Sequence, residues 1–429
     1  MLSSFYIFFT NEPNSTFYGR IVPGAYAVLI HHPYEGAGRK LYKILLKCNK
    51  EEKQIFTRTA IRKSKDSLAG IKADTKNTAT DTVLIVNPKS SSGSTGKEWE
   101  NLFIKIKKTF GGNPKVAFTK KPGDGSTLTK KFLKKGFKKI VAIGGDGTIN
   151  EVANGFFEVE EKPVNHVNIG NQNNNSNNNA HSAIGSTVVK AVNSEAIMAL
   201  LPSGTRNVLV KSLGIPDGIE ECCRTFAFGT QKKIDVISVT ATNPQTGLSS
   251  PTRIFLNAAE MGMTGEIIDK SKKIRTKINS RLISTVSSVI STVPTYESNI
   301  CEISIDDGRD TILTKVTMCV IANGKFLGGG FKAAPNADVS DGLLDVVILK
   351  DSNNIEMISN FINVKKGTYG NEDDVFYAQA KKVLIKPIEE EPEEKAERKR
   401  DVTVTIDGEP VGILPATFQV VPNALTIKI

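Results

Sequence analysis

The stretch Val141–Asn150, VAIGGDGTIN, decides how the rest of the chain is read. The apolar run Ile140–Ile143 ends abruptly in Gly144, Gly145 and Gly147, which surround Asp146. A short apolar run bounded by glycine has the character of a strand buried on both faces. Thr148 and Glu151 have the Thr-x-x-Glu spacing of a capping box, so a helix is expected to begin there.

The same strand, loop and helix order repeats on either side. Upstream, TVLIV (Thr82–Val86) breaks into NPKSSSGSTG, and a helix follows with Trp99, Leu102, Phe103, Ile106 and Phe110 on one face. KVAFT (Lys115–Thr119) then leads through KKPGDG to a helix carrying Leu128, Phe132 and Leu133, with Gly136 as its C-cap. Downstream, AIMALL (Ala196–Leu201) runs into PSGTRN and another helix. Strands alternating with helices predict a parallel sheet with right-handed crossovers. The Asn-rich tract about 165–185 is too polar to order itself and is expected to be a disordered insertion.

Beyond about Gly214 the helical pattern gives way to strands with period-two alternation, such as Cys301, Ile303, Ile305 and Val402, Val404, Ile406. DDGR after CEISI is a hairpin signal, and EEEPEEKAERKR reads as an exposed loop. The expected fold class is α/β + β. A parallel α/β nucleotide-binding domain spans 79–213, a mostly antiparallel β-sandwich or barrel spans 214–429, and a segment at 1–78 has no assigned role.

The chain has 429 residues, 39% hydrophobic and 24% charged, which is the composition of a globular protein with room for two or three cores. No run approaches the roughly 18 apolar residues of a membrane span. Without a signal-peptide pattern the expected location is cytoplasmic. The five cysteines have no CxxC spacing, and the adjacent Cys222 and Cys223 read as small core residues rather than a redox pair. A formal net charge of +11 implies an acidic partner, and the absence of a recognised nucleic-acid module turns that expectation from nucleic acid to phosphates or anionic membrane.

Three Gly- or Ser-rich loops follow parallel strands: NPKSSSGSTGK, GGDGT and PSGTRN. Ligands bind beyond the carboxyl ends of such strands, and loops that feed helix N-termini favour anions. None is a Walker loop, because Ser91 stands where the first Gly is required and Glu98 where Ser or Thr is required. Nor is GGDGT a Rossmann fingerprint. A carboxylate at Asp146 among phosphates is repelled unless it holds a metal or takes a proton, and phosphoryl transfer needs both. Expected phosphate contacts therefore include Asn87 and Lys89 in the first loop, Gly144 in the second, and Gly204 and Asn207 in the third.

Together IVNPKSSSG, GGDGTINEVANG, LPSGTRNVLVKSLGIP, NGKFLGGGFKAAPNADVSDGLLDVVIL and the late IDGEP resemble the diacylglycerol kinase catalytic family, which includes bacterial lipid kinases and sphingosine kinases and is related to NAD kinases. The resemblance runs from about Thr82 to Ile429. It implies an ATP-binding α/β domain, a β-rich lipid-binding domain and a cleft between them. By motif position, Thr119, Gly145, Asp146, Gly147, Thr148, Glu151 and Thr205 are expected to contact ATP. The stretch DVSDGLL implies Mg²⁺ held by the Asp341 side chain with backbone oxygens of Asp338 and Leu343. The late triplet implies base chemistry at Asp407 and Glu409, while related kinases give that role to the Asp of GGDG, here Asp146; both assignments stay open. In the third loop, Arg206 stands where the family usually has Gly, and Val208 where it has Asp.

Such an enzyme meets its lipid substrate by docking. Within 267–290, Ile274, Ile278, Leu282, Val286 and Ile290 recur at i+4 steps, with Lys270, Lys272 and Lys273 before them and Arg275, Lys277 and Arg281 between them. A basic amphipathic helix here would either lie on an anionic membrane surface or pack its apolar ridge on the β domain. The expected function is an ATP-dependent lipid kinase, with a soluble-substrate kinase of NAD-kinase type and a non-catalytic regulator as alternatives. Assembly as a homo-oligomer stays open.

Overall fold

The structure is a computed structural model that describes residues 27–30, 43–46, 81–110, 112–161, 187–204, 206–216, 218–275, 281–327, 331–369, 373–388 and 401–429. The chain divides into two units, Met1–Thr75 and Lys76–Ile429. In the first, Ala27–Ile30 and Lys43–Leu46 pair as antiparallel strands.

The second unit opens with four parallel strands in the spatial order Lys115–Phe118, Thr82–Val86, Lys139–Gly144, Ile197–Pro202. Val83, Leu84, Ile85 and Val86 are fully buried, as are Ile140 to Ile143, so the apolar runs mark strands covered on both faces. Helix Trp99–Phe110 buries Leu102, Ile106 and Phe110, and helix Asp124–Lys134 buries Phe132 and Leu133. Helix Ile219–Phe228 lies beyond the expected boundary at 213, yet Cys222, Cys223 and Phe226 belong to the same core. Phe226 meets Phe110 at a ring distance of 4.4 Å. Burying a Phe side chain contributes roughly 1.5–3 kcal/mol, so this helix is held to the parallel sheet. The adjacent cysteines are buried thiols, and burial pushes Cys223 up to about 12, which suits a packing role.

The remaining strands pair antiparallel. Asn299–Ile305 buries alternate residues, and Ile305 faces Asp310 across the DDGR turn. One core lies inside the curled sheet around Phe255, Ile303, Ile406 and Phe418. Another lies between the opposite face and the helices Met263–Arg275, Arg281–Thr292 and Asn354–Lys366. The strand Glu409–Lys428 pairs in turn with Thr403–Ile406, Lys382–Ile385 and Gln231–Thr242, and its end runs parallel to Ile197 and Met198. The sheet is therefore continuous through both halves, and residues from the end of the β-rich half complete the parallel sheet.

A single basic amphipathic helix over 267–290 is not what forms. Two helices, Met263–Arg275 and Arg281–Thr292, pack on each other. Ser271 Oγ donates to Ser284 Oγ at 3.5 Å, and Lys270 Nζ donates to the Ser291 carbonyl at 3.3 Å. Ile274 and Ile290, both members of the i+4 stripe, therefore fall on different helices, and Ile290 is exposed. The strands Phe157–Glu161 and Thr187–Ala191 pair antiparallel. The Asn-rich tract between them and the acidic stretch 389–400 lie outside the described residues. No helix among the described residues is long and apolar enough to cross a membrane.

Candidate active site

The three loops meet at the ends of the parallel strands. Ser203 N donates to the Gly144 carbonyl at 2.9 Å, and Asn87 N to the Ile143 carbonyl at 2.9 Å. The hydroxyls of Ser90 and Ser203 lie 2.9 Å apart. A Cβ on Gly204 would stand 2.5 Å from Gly145 Cα, so this approach of two backbones requires glycine.

The helix after GGDG spans Asp146–Asn154 with Gly145 at its cap, three residues earlier than a cap at Thr148 would put it. The capping box does not form. Thr148 is buried and its Oγ1 accepts from Asn87 Nδ2 at 2.9 Å. Glu151 reaches across to the neighbouring loop, where its two oxygens accept from Gly123 N at 2.8 Å and Gly125 N at 2.9 Å. Asp146 does the same in the other direction: Oδ1 accepts from Val208 N at 2.7 Å. Both carboxylates thus satisfy otherwise unpaired N–H groups at the starts of neighbouring helices. One turn of helix, Asp146 to Glu151, ties the second and third loops together and holds the Asp124 helix against them.

Among the other residues expected at phosphates, Lys89 is exposed on the first loop and its N–H donates to Asn87 Oδ1 at 3.0 Å. Thr119 is buried at its strand end with its N–H on the Val86 carbonyl. Asn207 takes the left-handed conformation at φ 49, and Thr205 lies outside the described residues. Val208, which stands where an Asp is usual, is buried.

The late triplet comes to the same place. A Cβ on Gly147 would lie 2.8 Å from Glu409 Oε1, so the Glu409 carboxylate rests against the first turn of the Asp146 helix. Its side chain is 43% exposed and its Oε2 is 3.6 Å from Arg253 Nη2. Burial raises the Glu409 carboxyl above its ordinary value; Arg253 opposes this and Glu151 adds to it. Asp407 is differently placed. It accepts from Ala258 N at 3.0 Å, Asn150 Nδ2 at 2.8 Å and Leu256 N at 3.3 Å. Burial pushes it up to about 6 against those hydrogen bonds. Asp407 is a carboxylate locked in place, whereas Glu409 is one a substrate can reach.

The stretch around Asp341 lies on a different turn. Leu343 N donates to Asp341 Oδ1 at 3.0 Å, and Ser340 N and Oγ donate to Asp338 Oδ1 at 3.0 and 2.8 Å. The fully buried Asp235 accepts from Gly342 N at 2.7 Å and Asn423 N at 2.6 Å. Burial, with Asp338 and Asp235 nearby, raises the Asp341 carboxyl. A carboxylate with backbone carbonyls is the donor chemistry of a hard divalent cation, so Asp341 with the Asp338 and Leu343 backbone fits Mg²⁺. Among the described residues no cluster of three or more His, Cys, Asp or Glu side chains is placed to hold a metal.

Four residues that the sequence reading passed over belong to the site. Asn154 and Asn150, one turn apart, both donate to the Ile254 carbonyl, at 2.7 and 3.1 Å, and Ile254 N returns a bond to Asn154 Oδ1 at 2.9 Å. With the Asn150 bond to Asp407, they clip the Asp146 helix to the β-rich half. Their i, i+4 spacing in INEVAN was the available signal. Arg253 and Glu260 gave none, because each lies in a run of otherwise apolar strand residues.

Residues 81–239 match the family model described as the diacylglycerol kinase catalytic domain. Residues 261–429 match the one described as the YegS C-terminal NAD kinase beta sandwich-like domain. The chain is 24% identical over 300 residues to a diacylglycerol kinase of Bacillus subtilis, covering 69% of this chain and 79% of that one. It is 24% identical over 351 residues to the lipid kinase YegS of Escherichia coli, covering 81% and 95%. A crystal structure of a diacylglycerol kinase from Bacillus anthracis superposes with a TM-score of 0.52 at 20% identity, over 81% of this chain and 96% of that one, and so shares the fold. The chain thus carries a diacylglycerol kinase catalytic domain followed by a YegS-type C-terminal domain, and is an ATP-dependent lipid kinase.

Proposed function

We propose that the chain transfers the γ-phosphate of ATP to a hydroxyl of a diacylglycerol-like or long-chain-base-like lipid. The observation that carries this reading is the Glu409 carboxylate resting on Gly147. It puts an accessible base beside the turn whose glycines and helix N-terminus suit phosphate. Glu409 takes the acceptor proton, and its raised carboxyl is a better base than an ordinary surface glutamate. The acceptor oxygen bonds to the γ-phosphorus as the bond to the bridging oxygen breaks, and ADP leaves. Asp407, held by its three N–H donors, fixes the loop that carries Glu409. Asp146 spends one oxygen on Val208 N, and the other would be left to hold Mg²⁺–ATP. Mg²⁺ at Asp341 would offset the negative charge of Asp341 and Asp338 on this turn and of Asp235 on the adjoining strand.

The acceptor reaches this site from a membrane. The helix pair Met263–Arg275 and Arg281–Thr292 offers Lys270, the exposed Lys273 and the exposed Ile290 to an anionic surface. Incubation with labelled ATP and a total lipid extract tests the reading. Label is expected in the organic phase, and identification of the product names the lipid. Label confined to water-soluble products would replace this reading with a soluble-substrate kinase.

A further inference from the structure

Arg206 is the residue of the third loop that the proposed chemistry leaves unused. It follows Gly204, whose Cα abuts Gly145 in the phosphate turn, and it is exposed. Its guanidinium reaches the opposite wall of the site: Nη1 lies 3.9 Å from where a Cβ on Gly408 would stand, next to Glu409. Arg206 therefore joins the two places that transfer must connect, the phosphate turn and the loop of the base. Among the described residues no carboxylate oxygen is within 4.0 Å of its guanidinium.

The carboxylate most influenced by this cation is Glu260, on strand Ala258–Gly262. Its register partners are Val320 and Thr405, and its strand neighbour on the same face is the buried Ala258. Glu260 is half-buried there, with Arg206 and Asp407 as the charges that act on it. Burial pushes its carboxyl up to about 7, even against Arg206. A carboxyl that is largely protonated below that pH does not cancel the charge of Arg206, so the cation remains available to an anion in the cleft.

We propose that Arg206 binds the γ-phosphoryl group of ATP as it passes to the acceptor, acting as a cationic clamp between the GGDG turn and Glu409. This deepens the proposed kinase function and rests on it. The planar guanidinium offers donors in a fork that matches two phosphoryl oxygens, and a lysine at the same place offers charge without the fork. Stabilisation of charge on a transferring phosphoryl group is what arginine supplies in other phosphoryl-transfer enzymes.

The test compares affinity for ADP and for a non-hydrolysable ATP analogue, both with Mg²⁺, in wild type, Arg206→Gly and Arg206→Lys. Arg206→Gly is expected to weaken the analogue at least about tenfold and ADP less than about twofold, as loss of a charge-assisted bond to the third phosphate would. Arg206→Lys should recover only part of the loss. Full recovery by lysine, or equal effects on ADP and analogue, would overturn the clamp. So would a variant with normal nucleotide affinity that raises only the KM of the lipid, because Arg206 would then read the headgroup. The binding comparison needs no acceptor. A wild type that labels no lipid would sink the acceptor assignment while leaving the affinity ratio to judge Arg206.

Discussion

Gly147→Ala should separate stability from turnover. Gly147 is the second residue of helix Asp146–Asn154 and has none of the positive φ that would exclude alanine. On backbone entropy alone, alanine in a helix is favoured over glycine by roughly 0.5–1 kcal/mol. The added Cβ would stand 2.8 Å from Glu409 Oε1 and 3.8 Å from its Cδ. Optimal separation is about 3.5–4.0 Å, so the carboxylate end must retreat by about 0.7–1.2 Å. A glutamate end can move that far without disturbing the backbone, so the melting temperature should stay level or rise. The base, however, leaves its position, and a misplacement near 1 Å can cost about a hundredfold in rate. We expect turnover to fall about tenfold to a hundredfold, read as single-turnover rate beside a thermal melt. In a Glu409→Gln background the same change should cost little more, since the group it displaces is already disabled. Turnover within about twofold of wild type in the Gly147→Ala single variant would show that Glu409 is not the base. Gly204→Ala serves as the contrast: its Cβ would meet Gly145 Cα at 2.5 Å, backbone against backbone, and the folded protein itself should suffer.

Glu409→Gln is expected to keep ATP affinity and lose turnover, whereas Asp146→Asn loses both; the opposite pattern in binding and single-turnover measurements would make Asp146 the base. Asp146→Ala should lower turnover by at least about a hundredfold and stability by about 1 kcal/mol, because it also removes the cap on Val208 N. Glu260→Gln changes the pH dependence of stability. The folded carboxyl sits at about 7 against an ordinary 4.5, so the wild type holds the extra proton in the folded state and loses stability as pH rises through that window. The melting temperature of the variant minus that of wild type should therefore climb from pH 4 to pH 8, and a constant difference would show that Glu260 ionises normally. Replacing Lys270, Lys272 and Lys273 with Glu should weaken binding to anionic vesicles at low salt by about 1 kcal/mol per residue, measured by co-sedimentation. Unchanged binding would place the docking surface elsewhere.

Local pattern was enough to read the parallel strands and the three loops, because the central strands, buried on both faces, write themselves as apolar runs and their loops as glycine and serine. The capping-box reading failed for a tertiary reason. Thr148 and Glu151 have the right spacing, but Asn87 and the Gly123–Gly125 backbone compete for them and win. Periodicity likewise carried one helix from 267 to 290, where the chain instead reverses and pairs two shorter ones. Arg253 and Glu260 were invisible because a charge in a strand is legible as functional only once its neighbours across the sheet are known. The departure at Arg206 was legible as a departure, but what it faces, Glu260 and the Gly408 turn, required the fold.

The long strand that begins at Glu409 also sets an order of assembly. Ile197–Pro202 has Lys139–Gly144 on one side, and its other edge is closed by Thr426 and Ile427, which pair with Ile197 and Met198. During synthesis that edge waits, open and apolar, until most of the β-rich half has left the ribosome. Open strand edges invite pairing with the wrong chain, and such distant contacts form slowly. The nucleotide-binding half therefore cannot mature as an independent module. Expressed alone up to its expected boundary, it would lack both the helix that buries Phe110 and the strand that seals its sheet, and would be an aggregation hazard rather than a minimal kinase domain.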